Sequence, residues 1–222
     1  MKKESKFFDR ESIVIISIMA VGILILIADS LWFKGWVSAA YWGFGLSAVY
    51  GLYAFLKGGA HLQKIWVFAL IAGFVELLAD HYLVSYTGTL VYPKNEPMLW
   101  TSPLYMPFSW LAVLFQIGYI GWKISFKLGK GKAAILLLVL GSIIIPLYEH
   151  WAINAGWWYY QAAPMKWDVP YYISLAEGLL MLSIPFLLRM VTDSKWKSVI
   201  ILGIIQGLIM LVASFIAYNL LG

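Results

Sequence analysis

The sequence predicts an all-α integral membrane protein of seven transmembrane helices, with the N-terminus cytoplasmic and the C-terminus external. Three observations predict it. Apolar runs of about 18 residues or more recur along the whole chain. Hydrophobic residues make up 62% of the 222 residues and charged ones only 12%, a balance that a water-soluble domain cannot solvate. Most of the sixteen Lys and Arg residues fall on one side of the apolar runs, in every second connecting segment.

The spans lie at about 12–33, 37–56, 64–85, 103–124, 132–154, 170–190 and 197–220. The first follows a short basic stretch and has no small-residue cleavage pattern after it, so it reads as a retained helix rather than a signal peptide. The second runs between Lys34 and Lys57. The third carries Glu76 and Asp80, four residues apart and hence on one helix face. The fourth and sixth begin at Pro103 and Pro170, where a missing N–H costs a helix least. The fifth holds Glu149 near its outer end, and the sixth holds Glu177 about two turns from its own. The seventh closes the chain, so residues 1–222 are expected to form one transmembrane domain.

Sorting the sixteen Lys and Arg residues sets the orientation. One side takes Lys2, Lys3, Lys6, Arg10, Lys57, Lys64, Lys123, Lys127, Lys130, Lys132, Arg189, Lys195 and Lys197; the other takes Lys34, Lys94 and Lys166. The richer side is cytoplasmic by the positive-inside rule. The net charge of +5 therefore reports topology and not a nucleic-acid partner. With no cysteine, disulfides, thiolate catalysis and Cys-ligated zinc are excluded. The two longest loops, about 86–102 and 155–169, are external, rich in Tyr, Trp and Pro, and suited to fold back as lids over a cavity.

Ionisable groups at membrane depth are costly and usually mark a functional site. Five carboxylates, Asp29, Glu76, Asp80, Glu149 and Glu177, fall in the external half of the spans. Asp29, near a helix end with Lys34 close by, reads as interfacial. His61 lies in an inner loop and is expected in solvent; Gln116 and Gln206 read as ties between helices.

Spans three and four also look like spans five and six. Gly88 to Tyr92 aligns with Gly156 to Tyr160 at an offset of 68, and Pro103 to Trp110 aligns with Pro170 to Glu177 at an offset of 67. The repeat units, about 70–124 and 138–190, would be parallel and would enclose a shared cavity.

The run Glu76, Asp80, His81, Tyr86-Thr87-Gly88, Tyr92, Pro103, Pro107 and Trp110 resembles the membrane-embedded carotenoid biosynthesis proteins. That superfamily includes carotenoid hydratases and heterodimer-type lycopene cyclases. The stretch from Gly156 through Tyr160 to Pro170 and Glu177 is similar to the cyclases' aromatic loop and Pro-led acidic helix. The resemblance covers about residues 70–180. It departs at two points: no Phe-Gly pair follows Thr87-Gly88, and the cyclases' paired Glu is Ala176-Glu177 here.

What the resemblance implies is an isoprenoid cyclase or hydratase. It would act on a carotenoid-like or shorter prenyl substrate taken from the bilayer, by protonating a double bond. The residues suit such chemistry. Burial and clustering keep a carboxylic acid protonated at neutral pH, and aromatic faces stabilise a carbocation. Glu76 or Glu177 is the expected donor; Asp80 and Glu149 tune it or stabilise positive charge; His81 or His150 accepts the last proton or positions water. Tyr105, Trp110, Trp151, Trp157, Trp158, Tyr159, Tyr171 and Tyr172 are the expected substrate-binding aromatics. No cofactor is expected. Asp80-His81 with Glu149-His150 would offer a divalent metal mixed oxygen and nitrogen ligands, but their spacing matches no known metal motif. The alternatives are a proton-coupled transporter and a non-catalytic lipid-binding or heteromer subunit. The expected location is the cell membrane, with the site toward its external half, in contact with membrane lipids and compatible with a homo- or hetero-oligomer.

Overall fold

The computed structural model describes residues 8–222; Lys2, Lys3 and Lys6 of the charge count lie outside the described residues. The chain folds as a helical bundle capped at one end by two short-stranded loops. The helices are α1 (Arg10–Trp32), α2 (Trp36–Leu56), α3 (Ala60–His81), α4 (Met106–Leu128), α5 (Lys130–Asn154), α6 (Tyr171–Leu182), α7 (Ile184–Asp193) and α8 (Trp196–Leu221). Helix α3 runs on through one π-helical turn, Tyr82–Tyr86.

Among the described residues, six stretches are long and apolar enough to cross a membrane: α1, α2, α3 with its π turn, α5, α6 with α7, and α8. Their outer faces carry large apolar side chains such as Leu24, Leu52, Ile201 and Val212, all exposed. A belt of that kind needs a lipid environment. Helix α4 has 23 residues but is not among the six. It packs between α2, α3 and α5, and it buries Gln116, Lys123 and Ser125.

Two elements differ from the sequence expectation. The fourth helix starts at Met106 rather than near residue 103, because Ser102–Pro103 forms a strand. The sixth span is broken at Ser183, between α6 and α7. Pro185 sits in the first turn of α7 and has no N–H to carry the α6 ladder forward. The Leu180 carbonyl at the break accepts the Ser183 hydroxyl (2.9 Å) and the Gln206 amide (3.3 Å). Gln206 thus ties α8 to α6, as Gln116 ties α4 to Tyr50 of α2 and Tyr148 of α5.

Close helix contacts rest on small residues, as expected where lipid offers no hydrophobic drive between helices. A Cβ on Gly141 of α5 would stand 2.9 Å from the Glu177 carbonyl of α6, and one on Gly73 of α3 would overlap the Pro107 carbonyl of α4.

The loops carry the strands β1 (Leu90–Val91), β2 (Met98–Leu99), β3 (Ser102–Pro103), β4 (Tyr159–Tyr160), β5 (Met165–Lys166) and β6 (Val169–Pro170). Within the loops β2 pairs with β3 and β5 with β6. Between them β1 pairs antiparallel with β4, Leu90 opposite Tyr160 and Val91 opposite Tyr159. The loops therefore close over one end of the bundle and bury Leu90, Tyr92, Trp157 and Trp158.

The opposite end gathers the basic residues. Lys123 pairs with Asp9, the N-cap of α1, while Lys64 donates to the Thr192 carbonyl (3.1 Å) and Arg189 lies over the Phe126 ring. His61 departs from the solvated reading. It bonds Glu11 at 2.9 Å and stacks on Trp122 at 5.2 Å, because the start of α1 crosses beside the α2–α3 turn.

Candidate functional site

Three helices bring four carboxyl groups to one enclosed cavity beneath the paired loops. Helix α3 supplies Glu76 and Asp80, one turn apart on its inward face; α5 supplies Glu149 and α6 supplies Glu177. The cavity is about 40 Å³ in volume, and Tyr92, Trp110, Trp158 and Tyr160 complete its wall. Glu76 and Asp80 are each 3% exposed and Glu177 is 5% exposed. Lipid-facing positions were open to all four acids; all turn inward, as the cost of charge in hydrocarbon demands.

The four are not equivalent. The Tyr92 hydroxyl donates to Asp80 Oδ2 at 2.5 Å. Glu149 Oε2 accepts from Trp158 Nε1 (2.8 Å) and from the Tyr160 hydroxyl (2.9 Å). Glu76 Oε2 and Glu177 Oε2 are buried with no hydrogen-bond partner. An unpartnered buried carboxyl oxygen is expensive and rare in a folded protein. The cavity thus holds two fixed carboxyls and two with a free oxygen.

A second chamber, about 50 Å³, adjoins the first. Its lining is almost wholly apolar, from Leu26, Trp42, Val113, Ile145 and Trp157, and it shares Met106, Trp110, Glu149 and Trp158 with the acid cavity. Trp42 forms the far wall, its indole N–H fixed on the Gly22 carbonyl at 2.9 Å. The same Trp42 also lines a lipid-facing groove between α1 and α2, together with Val21, Ile25 and Leu46. Asp29 lies in that groove, apart from the cluster.

Of the aromatics expected at a substrate site, Trp110 and Trp158 line both chambers and Trp157 the apolar one. Tyr105 is buried and donates to Glu96, and Tyr172 is buried against the Thr89 hydroxyl. Trp151 packs on Tyr148, while Tyr159 and Tyr171 are about half exposed. His81 lies off the cavity, stacked on Trp100 at 3.9 Å. His150 does too, bonded to the Trp167 carbonyl at 2.9 Å. Each His follows its acid neighbour by one residue, which turns it about 100° around the helix. Among the described residues no group of three or more His, Asp or Glu is arranged to hold a metal ion.

Sequence reasoning named none of Tyr92, Tyr160, Trp42, Met106 and Glu96 as site residues, although Tyr92 stands in the run that carries the resemblance and Tyr160 in the loop aligned with it. The two tyrosines occupy matching positions of the aligned loops, so the alignment held the clue to their shared task of binding an acid.

The profile of DUF6989, a domain of unknown function, matches residues 77–221. Asp80, Glu149 and Glu177 lie inside the match, and Glu76 lies one residue before it. No curated protein and no solved structure matches the chain.

Proposed function

We propose that this chain, which belongs to the DUF6989 family, is an intramembrane enzyme that protonates a double bond of an isoprenoid drawn from the bilayer. The observation that carries the reading is the division within the cluster: Glu76 and Glu177 each turn an unpartnered oxygen into a closed cavity where Asp80 and Glu149 are already fixed. A proton donor must offer its hydroxyl to substrate rather than to a protein acceptor. Glu76 or Glu177 delivers the proton to one alkene carbon, leaving positive charge on the next. Trp110 and Trp158 line the cavity where ring faces can meet that charge, and Glu149 offers it a carboxylate oxygen. A second alkene attacks the cation in cyclisation, or water does in hydration. Either course ends with a proton lost to a carboxylate, so the protein is restored. His81 and His150 take no part.

The apolar chamber lies in line for the chain behind the reacting end and must open to admit it; the α1–α2 groove suits entry from lipid, and Trp42 lines both. The resemblance to carotenoid biosynthesis proteins favours a carotenoid-like substrate; a shorter prenyl chain fits the same chemistry.

The finer topology belongs to the same reading. Helix α4 is the seventh crossing, the basic end of the bundle is cytoplasmic and the loop end external. A parallel repeat is supported by register. Val91 pairs with Tyr159, and 159 − 91 = 68, the offset of the loop alignment. A two-fold axis along the membrane normal would pass through that pair. Each unit's loop tyrosine, Tyr92 or Tyr160, then donates to its own unit's acid, Asp80 or Glu149. The hairpins Met98·Pro103 and Met165·Pro170 differ by 67, as do the left-handed residues Trp100 and Trp167.

A second reading, proton-coupled transport, is favoured by the break at Ser183 and by the pairing of the buried Lys123 with the partly exposed Asp9 at the basic end. Transporters use discontinuous helices and polar groups on both sides of a central site. Expression in a host that accumulates lycopene or shorter prenyl precursors separates the two readings. A new lipid of unchanged mass means cyclisation, and a gain of one water means hydration. A host lipid profile identical to that of the empty host, with every precursor, removes the enzyme reading for those substrates.

A further inference from the structure

Glu96 is a buried carboxyl that the chemistry above leaves unused. It lies between β1 and β2 in the loop that covers the acid cavity, directly after Asn95, whose backbone is left-handed (φ 75°). A loop carboxylate ordinarily sits in water. This one is 7% exposed; its Oε1 is buried without a partner, and its Oε2 accepts the Tyr105 hydroxyl at 3.1 Å. Tyr105, 1% exposed, is near enough to Asp80 to feel its charge as well as that of Glu96. Ser102 is fully buried on β3, which packs on α3; its hydroxyl lies beside Asp80 and has no fixed partner. Asp80 in turn is within hydrogen-bonding reach of Glu76. From the surface inward the groups run carboxyl, phenol, hydroxyl, carboxyl and carboxyl, each able both to give and to take a proton.

We propose that Glu96, Tyr105 and Ser102 form the proton inlet of the acid cluster, carrying protons from the loop face of the protein to Asp80 and Glu76. The inference rests on the reading of the cluster as a proton donor. Each turnover returns to the cluster the proton it took, so the inlet carries no net proton; it sets the protonation of the cluster by exchange with water. To load the cluster, Asp80 takes a proton from the Ser102 hydroxyl and shares it with Glu76. Ser102 takes one from Tyr105 through an intervening water, since the two hydroxyls do not bond directly, and Glu96 returns a proton to the Tyr105 oxygen. The Glu96 carboxylate then takes a proton from water at the surface, and no charge is left on the hydroxyls; the reverse sequence releases a proton. Burial pushes Glu96 up to about 7, against the pull of the Tyr105 hydrogen bond, so at neutral pH both of its forms are populated. A shuttle works best under that condition. Tyr105 is the titratable group that faces it.

The inlet is tested on the full-length protein in lipid nanodiscs, without any substrate. The infrared band of protonated carboxyl groups is followed after transfer from H2O to D2O. Wild type should exchange fast, and Glu96→Gln and Tyr105→Phe should each slow exchange about tenfold or more. Glu96→Asp should restore it, and Glu11→Gln at the opposite end should leave it unchanged. Thermal unfolding of each variant confirms the fold. Exchange at the wild-type rate in a folded Glu96→Gln protein would overturn the inlet while leaving the donor reading intact. A wild type without any protonated carboxyl band would overturn both.

Discussion

Glu76 and Asp80 sit one turn apart on the same helix, yet their surroundings assign them different work. Asp80 is an acceptor held by Tyr92, whereas Glu76 keeps an oxygen free in the cavity. Removing the Tyr92 hydroxyl leaves a buried carboxyl without its donor, so Tyr92→Phe should cost about 1–3 kcal/mol, read as a lowered unfolding midpoint. Tyr160→Phe should cost less, because Glu149 retains the Trp158 N–H. Glu96 adds a pH dependence. Its folded value of about 7 lies above the usual 4.5, so the folded state binds more protons between those limits. Its contribution is full below about pH 4.5 and is lost as pH rises through about 7. The unfolding midpoint of Glu96→Gln should therefore gain on that of wild type as the buffer moves from about pH 5 to about pH 8. The acids were legible in the sequence because a charge inside an apolar run has few explanations. Tyr92, Tyr160 and Glu96 were not, because a loop tyrosine or glutamate looks ordinary until strand pairing brings it under the lid.

Among the elements, the spans read from apolar runs agree with the observed helices to within a few residues wherever caps or lysines end them, as in α1, α2, α5 and α8. The break at Ser183 escaped because Ser, Ile and Pro there interrupt nothing apolar; only the missing Pro185 N–H and the Gln206 brace reveal it. The strands escaped too, since two-residue ladders leave no periodicity to read. Helix α5 positions Glu149 against α6 through the close contact at Gly141. Gly141→Val should push α6 away and destabilise the protein by about 1–3 kcal/mol, read as a fall in the unfolding midpoint. The same change should also lower product yield, because Glu177 lies on the displaced helix.

At the scale of the whole molecule, the membrane character follows from composition and run length, while the proposed orientation rests on where the lysines fall. The structure gathers the basic residues at one end and the aromatic loops at the other, joined by the β1–β4 pairing. The absence of cysteine makes the topology directly testable. Single cysteines at Lys94 or Lys166 should react with an impermeant thiol reagent on intact cells, and those at Lys57 or Lys130 only after permeabilisation. The reverse pattern would invert the bundle.

The central claim is that a carboxyl of the buried cluster gives a proton to substrate carbon. Membranes carrying the protein, suspended in D2O with preformed lycopene or a shorter prenyl precursor, test it most directly. A product bearing one carbon-bound deuterium, absent from Glu76→Gln or Glu177→Gln membranes, is the predicted result. A product without deuterium, or one formed equally well by both folded variants, would contradict it.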